Sequence, residues 1–116
     1  MDSPAAPTLF VHHVLFYPKA DASAADKARL LEGLQSMVAI PSIKLAHIGT
    51  PAATNRAVIE RSYAYSWLCL FESAEDEESY QQHPIHDAFR NQYATYWDRV
   101  VIYDAIGPEL GRGPAS

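Results

Sequence analysis

The densest acid–base chemistry in this 116-residue chain is the run Tyr80-Gln81-Gln82-His83-Pro84-Ile85-His86. A neutral imidazole accepts a proton near neutral pH. A phenol can donate to an enolate or phenolate oxygen. Pro84 lies between the two histidines. It lacks an N–H and its φ is fixed, so it suits the first position of a new helical piece. His86 then falls in that piece's first turn, where the positive end of the helix disfavours an imidazolium. His86 as base and Tyr80 as donor would suffice for enolisation, aldol cyclisation or isomerisation. Each residue also has a structural use. His83 can cap or pack at the kink, Tyr80 can pack with its hydroxyl satisfied, and His86 can be a satisfied buried histidine. A metal on His83, His86 and a first-strand histidine would draw on the His-x-x-His spacing. No cysteine or carboxylate completes a recognised ligand pattern, so neither metal nor cofactor is expected.

The elements around this run must hold it. Residues 8–17 (TLFVHHVLFY) are rich in aromatic and β-branched side chains and are closed by Pro18, which predicts a strand. Alternation puts His12 and His13 on opposite faces. Ser23 with Asp26 reads as a helix N-cap with a short capping box. The helix is predicted over 24–38, its apolar face being Leu31, Leu34 and Val38, flanked by Leu30 and Met37. Ile40-Pro41 stops it. Residues 42–48 form a second expected strand, 49–61 a long loop, and 62–71 a third strand. One face of that strand carries Tyr65, Trp67, Cys69 and Phe71.

Ser73 caps the next helix, and the acidic run Glu75 to Glu78 complements its dipole. Phe89, Tyr93 and Trp97 recur at helical spacing, and residues 99–105 form a last strand. Strand, helix, strand, strand, helix, strand is the split βαβ order of a ferredoxin-like α+β domain. It is expected over residues 8–106, with flexible tails at 1–7 and 107–116. Helices cover only one face of such a sheet, yet both faces of the first and third strands are largely apolar. A two-fold homodimer, sheet against sheet, would bury the second face.

Composition narrows the function. The formal net charge is −5, and no block of Lys or Arg occurs, which argues against nucleic acid or an anionic membrane as partner. The single cysteine, Cys69, has no partner for a disulfide and reads as a small buried strand residue. The first residues lack the basic-then-apolar pattern of a signal peptide. No apolar run reaches the roughly 20 residues of a membrane helix, so the expected location is the cytoplasm.

Several segments together carry a resemblance. They are Val11-His12-His13-Val14-Leu15-Phe16, Ile40-Pro41-Ser42-Ile43-Lys44, Phe71-Glu72-Ser73, the Tyr80–His86 cluster, and Tyr96 to Asp104 (YWDRVVIYD). With these, the chain resembles the stress-responsive A/B barrel (Dabb) family of dimeric α+β barrels. The resemblance implies a cavity between sheet and helices and, in the family's cofactor-free polyketide cyclase, acid–base work by the residues matching His86 and Tyr80. It also implies a first-strand pocket histidine, here His12, and third-strand pocket positions, here Tyr65 and Trp67. Asp87 and Arg90 stand where that cyclase pocket is apolar or small, so a smaller, more polar pocket is implied. The expected function is a homodimer that binds a small apolar or aromatic molecule, with cofactor-independent cyclase or isomerase chemistry. The alternatives are a non-catalytic stress-response or interaction protein and a cofactor-free monooxygenase-like enzyme. The family holds proteins of more than one kind, so the site must decide.

Overall fold

A computed structural model describes residues 7–111 and 113–114. The first strand, β1 (Thr8–Tyr17), leads into α1 (Ala24–Ser36), then β2 (Leu45–Gly49) and β3 (Tyr65–Phe71). Two helices follow, α2 (Ala74–Gln82) and α3 (Pro84–Tyr93), and β4 (Arg99–Pro108) closes the chain. The sheet order is β2-β3-β1-β4, with every neighbouring pair antiparallel. This is the ferredoxin-like α+β architecture that the order of elements predicts. Among the described residues, no helix is long and apolar enough to cross a membrane.

Local chemistry sets the helix boundaries. The Ser23 side chain accepts from the Asp26 backbone N–H, and the Asp26 side chain accepts from the Ser23 N–H, so the capping box is complete. Ser73 caps α2 through the Asp76 N–H. His83 ends α2 and starts α3, and its Nδ1 accepts from the Ile85 N–H at 3.1 Å. Pro84 occupies the first position of α3, where its missing N–H costs nothing.

The buried face of α1 differs from the expected one. Leu30, Gly33 and Leu34 are buried, and Met37 follows them in a 3₁₀ turn (Met37–Ala39). Leu31 is only partly buried, and Val38 is 56% exposed. The true stripe is i, i+4, i+7 starting at Leu30, one residue earlier than the sequence suggested. Gly33 belongs to it because Tyr93 lies across the helix there: a Cβ would sit 2.6 Å from that ring.

The core lies between the helices and one sheet face. It contains Val14, Phe16, Leu30, Leu34, Trp67, Phe71 and Phe89, all buried. The opposite sheet face carries Val11, His13 and Leu15 from β1, paired with Leu70, Leu68 and Ser66 of β3 and with Ala105, Tyr103 and Val101 of β4. Helices do not cover this face; Tyr103 is 62% and Leu45 51% exposed. β4 runs beyond the expected 99–105. Gly107 and Pro108, read from sequence as tail, pair with Leu9 and Thr8, at a sheet edge where proline is tolerated. Next to this pairing the Glu109 N–H donates to Pro7 O at 2.7 Å; of the other expected tail positions, 1–6, 112, 115 and 116 fall outside the described residues.

Candidate functional site

A cavity of about 140 Å³ lies between the helices and the strands β1, β3 and β4. Its walls are mostly apolar: Val14, Phe16, Met37, Trp67, Phe89 and Trp97, with Val100 and Ile102 on the β4 side. The polar groups are His12, Tyr80, Gln81, His86 and Arg90. An apolar cavity of roughly 150 Å³ admits benzene, so the space suits one aromatic ring or a chain of similar bulk.

Tyr80 comes from the last turn of α2 and is buried. Its hydroxyl accepts from Trp67 Nε1–H at 2.9 Å and lies 3.7 Å from Met37 Sδ. Burial pushes the phenol well above its ordinary value, so it remains a donor at neutral pH. His86, in the first turn of α3, meets Tyr80 edge-on with ring centroids 4.7 Å apart. Burial above all, then the Arg90 guanidinium and His12, push the His86 imidazole down to about 4. The expected neutral state follows, with desolvation rather than the helix terminus as its leading cause. Nδ1 of His86 is buried and has no hydrogen-bond partner among the described residues. A buried polar atom without a partner is costly.

His12 lies at the other polar end. Its ring is 5.6 Å from Tyr80 by centroid. Nδ1 is 2.6 Å from Asp104 Oδ1, and Nε2 is 3.5 Å from the Gln81 amide nitrogen. His13 points to the uncovered sheet face and pairs with Ser66 Oγ at 2.7 Å. The choice of His12 over its neighbour is therefore the one that reaches the cavity.

The other expected pocket residues divide. Trp67 forms the cavity floor. Arg90 stands at the rim, half exposed, donating to Gln81 O at 3.2 Å and to Asp87 Oδ1 at 2.9 Å. Asp87 does not line the cavity but holds Arg90. Tyr65 is not brought to the site: it lies under α1, where its hydroxyl donates to Lys27 O at 2.9 Å, beside a separate depression with Leu31 and Ile48. One β3 step of two residues is enough to move it past the cavity wall. Cys69 is buried, and burial pushes its thiol up to about 12, which leaves it inert.

Sequence reasoning missed Asp104, Glu77 and Gln81. The β1–β4 register sets Asp104 directly opposite His12, and α2 brings Glu77 and Gln81 above them. Ligand atoms of His12, Glu77 and Asp104 lie within 4.8 Å of one another. Two donors on one tetrahedral zinc stand about 3.3 Å apart. The 2.6 Å approach of His12 to Asp104 is a shared proton's distance, so these two atoms face each other rather than a common ion.

Sheet order, helix placement and an aromatic cavity with polar ends define a ferredoxin-like small-molecule-sized chamber. The chain belongs to the Stress responsive A/B Barrel Domain family, whose pattern matches residues 10–106. It is 26% identical over 94 residues to olivetolic acid cyclase from Cannabis sativa, across 80% of this chain and 91% of that protein. In structure it is similar to the hydroxynitrile lyase from Passiflora edulis, with a TM-score of 0.72 and 19% identity over 91% of this chain and 99% of the other. It is also similar to a dimeric ferredoxin-like protein of unknown function from Thermobifida fusca, with a TM-score of 0.69 and 17% identity over 90% and 95% of the two chains.

Proposed function

We propose that this protein is a homodimer whose cavity binds a small aromatic or apolar carbonyl compound and moves a proton on the carbon beside the carbonyl without a cofactor, as a cyclase, lyase or isomerase requires. One observation carries the reading: a ring-sized apolar cavity whose polar lining includes Tyr80, His86 and His12. Tyr80, held protonated by burial, donates to the carbonyl oxygen and to the enolate that forms. His86, held neutral, completes that polar end. The curated relative that is a cyclase by name fits such chemistry. The cavity's size favours a one-ring substrate over a long-chain polyketide.

Phenylacetone in deuterium oxide is a direct probe. The folded protein should exchange the benzylic protons saturably and faster than buffer, read by proton NMR. Tyr80→Phe and His86→Ala should each lower the rate about 100-fold. Catalysis is ruled out by exchange at the buffer rate, or by variants that match the parent.

A second reading, a binding or stress-response protein without chemistry, draws on the Tyr80 hydroxyl already being engaged by Trp67 and Met37. Binding of phenylacetone without exchange would select it.

The homodimer rests on the uncovered apolar sheet face, Val11, Leu15, Leu68 and Leu70 with their β4 neighbours. Apolar area of this kind is normally covered by a partner. Sedimentation at micromolar concentration should give a species of twice the 12.9 kDa chain. A well-folded monomer there would defeat the assembly.

A further inference from the structure

Deepening the proposed function, and resting on it, the geometry points to a division of labour: Asp104 positions His12, and His12 Nε2 takes the carbon-bound proton while Tyr80 and His86 hold the oxygen. Four observations carry this. His12 is 3% exposed and has its Nδ1 2.6 Å from Asp104 Oδ1. A carboxylate anion only accepts, so a neutral His12 imidazole facing it carries its proton on Nδ1 and its lone pair on Nε2. Among the described residues Nε2 has one hydrogen-bonding neighbour, the Gln81 amide nitrogen at 3.5 Å, a contact too long to be strong. Gln81 lines the cavity beside His12, so a substrate C–H can replace it there. Asp104 and His12 are cross-strand partners in the middle of the β1–β4 ladder, so backbone pairing fixes their approach. An imidazole oriented by a carboxylate in this manner is the general-base arrangement of hydrolytic triads, reached here on a sheet and without a nucleophile.

His86 is poorly matched to the same task. Its imidazole is pushed down to about 4, and a base that weak takes a carbon-bound proton inefficiently. Glu77 from α2 also faces the pair. Its Oε2 is buried without a partner among the described residues, and burial pushes the carboxyl up while His12 pulls it down.

The step balances within the site. The C–H electron pair becomes the enolate C=C bond, the carbonyl π pair moves to oxygen beside the Tyr80 O–H, and the proton goes to Nε2. Exchange follows when that proton is replaced by a solvent deuteron on Nε2 and the deuteron is returned to the same carbon; delivery to the γ carbon of a conjugated enolate gives isomerisation.

Nitrogen NMR of ¹⁵N-histidine-labelled protein at pH 7 should show His12 as the Nδ1–H tautomer, and Asp104→Asn should shift it toward Nε2–H. With phenylacetone, Asp104→Asn should lower kcat for exchange by about tenfold or more while KM stays within about twofold, and Asp104→Glu should restore part of it. His12→Gln should abolish exchange. An Nε2–H tautomer in the parent, an unmoved tautomer in Asp104→Asn, or parental exchange in His12→Gln overturns the assignment while leaving the proposed function standing. A parent that does not exchange at all overturns both.

Discussion

Trp67→Ala should lower the unfolding free energy by about 3–5 kcal/mol, a large share of the roughly 5–15 kcal/mol that holds a domain folded. Trp67 sits on β3, an interior strand of the sheet, 1% exposed and packed in the main core. Truncation removes a whole indole from a wall that cannot collapse, because the sheet backbone behind it is fixed by ladders on both sides. It also removes the hydrogen bond that the Tyr80 hydroxyl accepts from Nε1–H at 2.9 Å, leaving it only the weak Met37 Sδ contact; a buried hydrogen bond lost in this way adds about 1 kcal/mol or more. Trp67→Phe separates the two terms, since it keeps most of the packing and loses the N–H. It should cost clearly less than the alanine. Urea melts at one fixed protein concentration measure both. A Trp67→Ala loss below about 1 kcal/mol would show that the indole is not part of the core. The same variant enlarges the cavity, so it should also admit two-ring aromatics that the parent rejects.

Acidification should destabilise the protein through His86 between pH 6.5 and about 4. The folded-state imidazole is held at about 4 against an ordinary 6.5. The unfolded chain therefore takes up the proton first, and stability is lost as pH falls through that window and levels off below it. At about 1.4 kcal/mol per unit, the full loss is somewhat above 3 kcal/mol. His13, also lowered by burial, adds in the same direction. Glu77, whose carboxyl burial pushes up, opposes them because its folded form binds a proton more readily. Glu60, pulled down to about 2 by Ser62 and Tyr17, loses its contribution only at lower pH. His86→Phe should flatten the slope of unfolding free energy between pH 6.5 and 4. An unchanged slope in that variant would place the acid sensitivity elsewhere.

Much of this fold could be read from local chemistry, because each boundary has a residue that enforces it. Pro18, the Ser23 box, Ser73 and Pro84 all act where the sequence puts them. The α1 face was misplaced because Leu30 and Leu31 are adjacent and each begins a plausible apolar stripe. Packing decides between them, with Leu30, Leu34 and Met37 buried in the core and Tyr93 lying on Gly33 of the same face. For the site, the local part was legible: Tyr80, His86 and the capping His83 lie within seven consecutive residues. Its other half was not. Asp104 meets His12 only through a strand pairing 92 positions long-range, and no local pattern announces which residue of β4 faces which residue of β1. The alternation Val100, Ile102, Asp104 on one β4 face held a signal, a lone carboxylate in an apolar row, but it needed the register to become a contact. Tyr65 failed for the opposite reason. It shares a face with Trp67, and face alone does not say where along the strand a cavity ends.

The sheet order has a consequence for biosynthesis. β1 leaves the ribosome first, yet it is flanked on both edges by strands made much later, β3 and β4. At translation rates of roughly 5–20 residues per second, some fifty further residues take several seconds to emerge. Through that interval a greasy ten-residue ribbon waits with both hydrogen-bonding edges open, a template for wrong partners. A nascent chain of this kind is a natural client for chaperones, and slowing translation should reduce its soluble yield more than that of a helical protein of equal length.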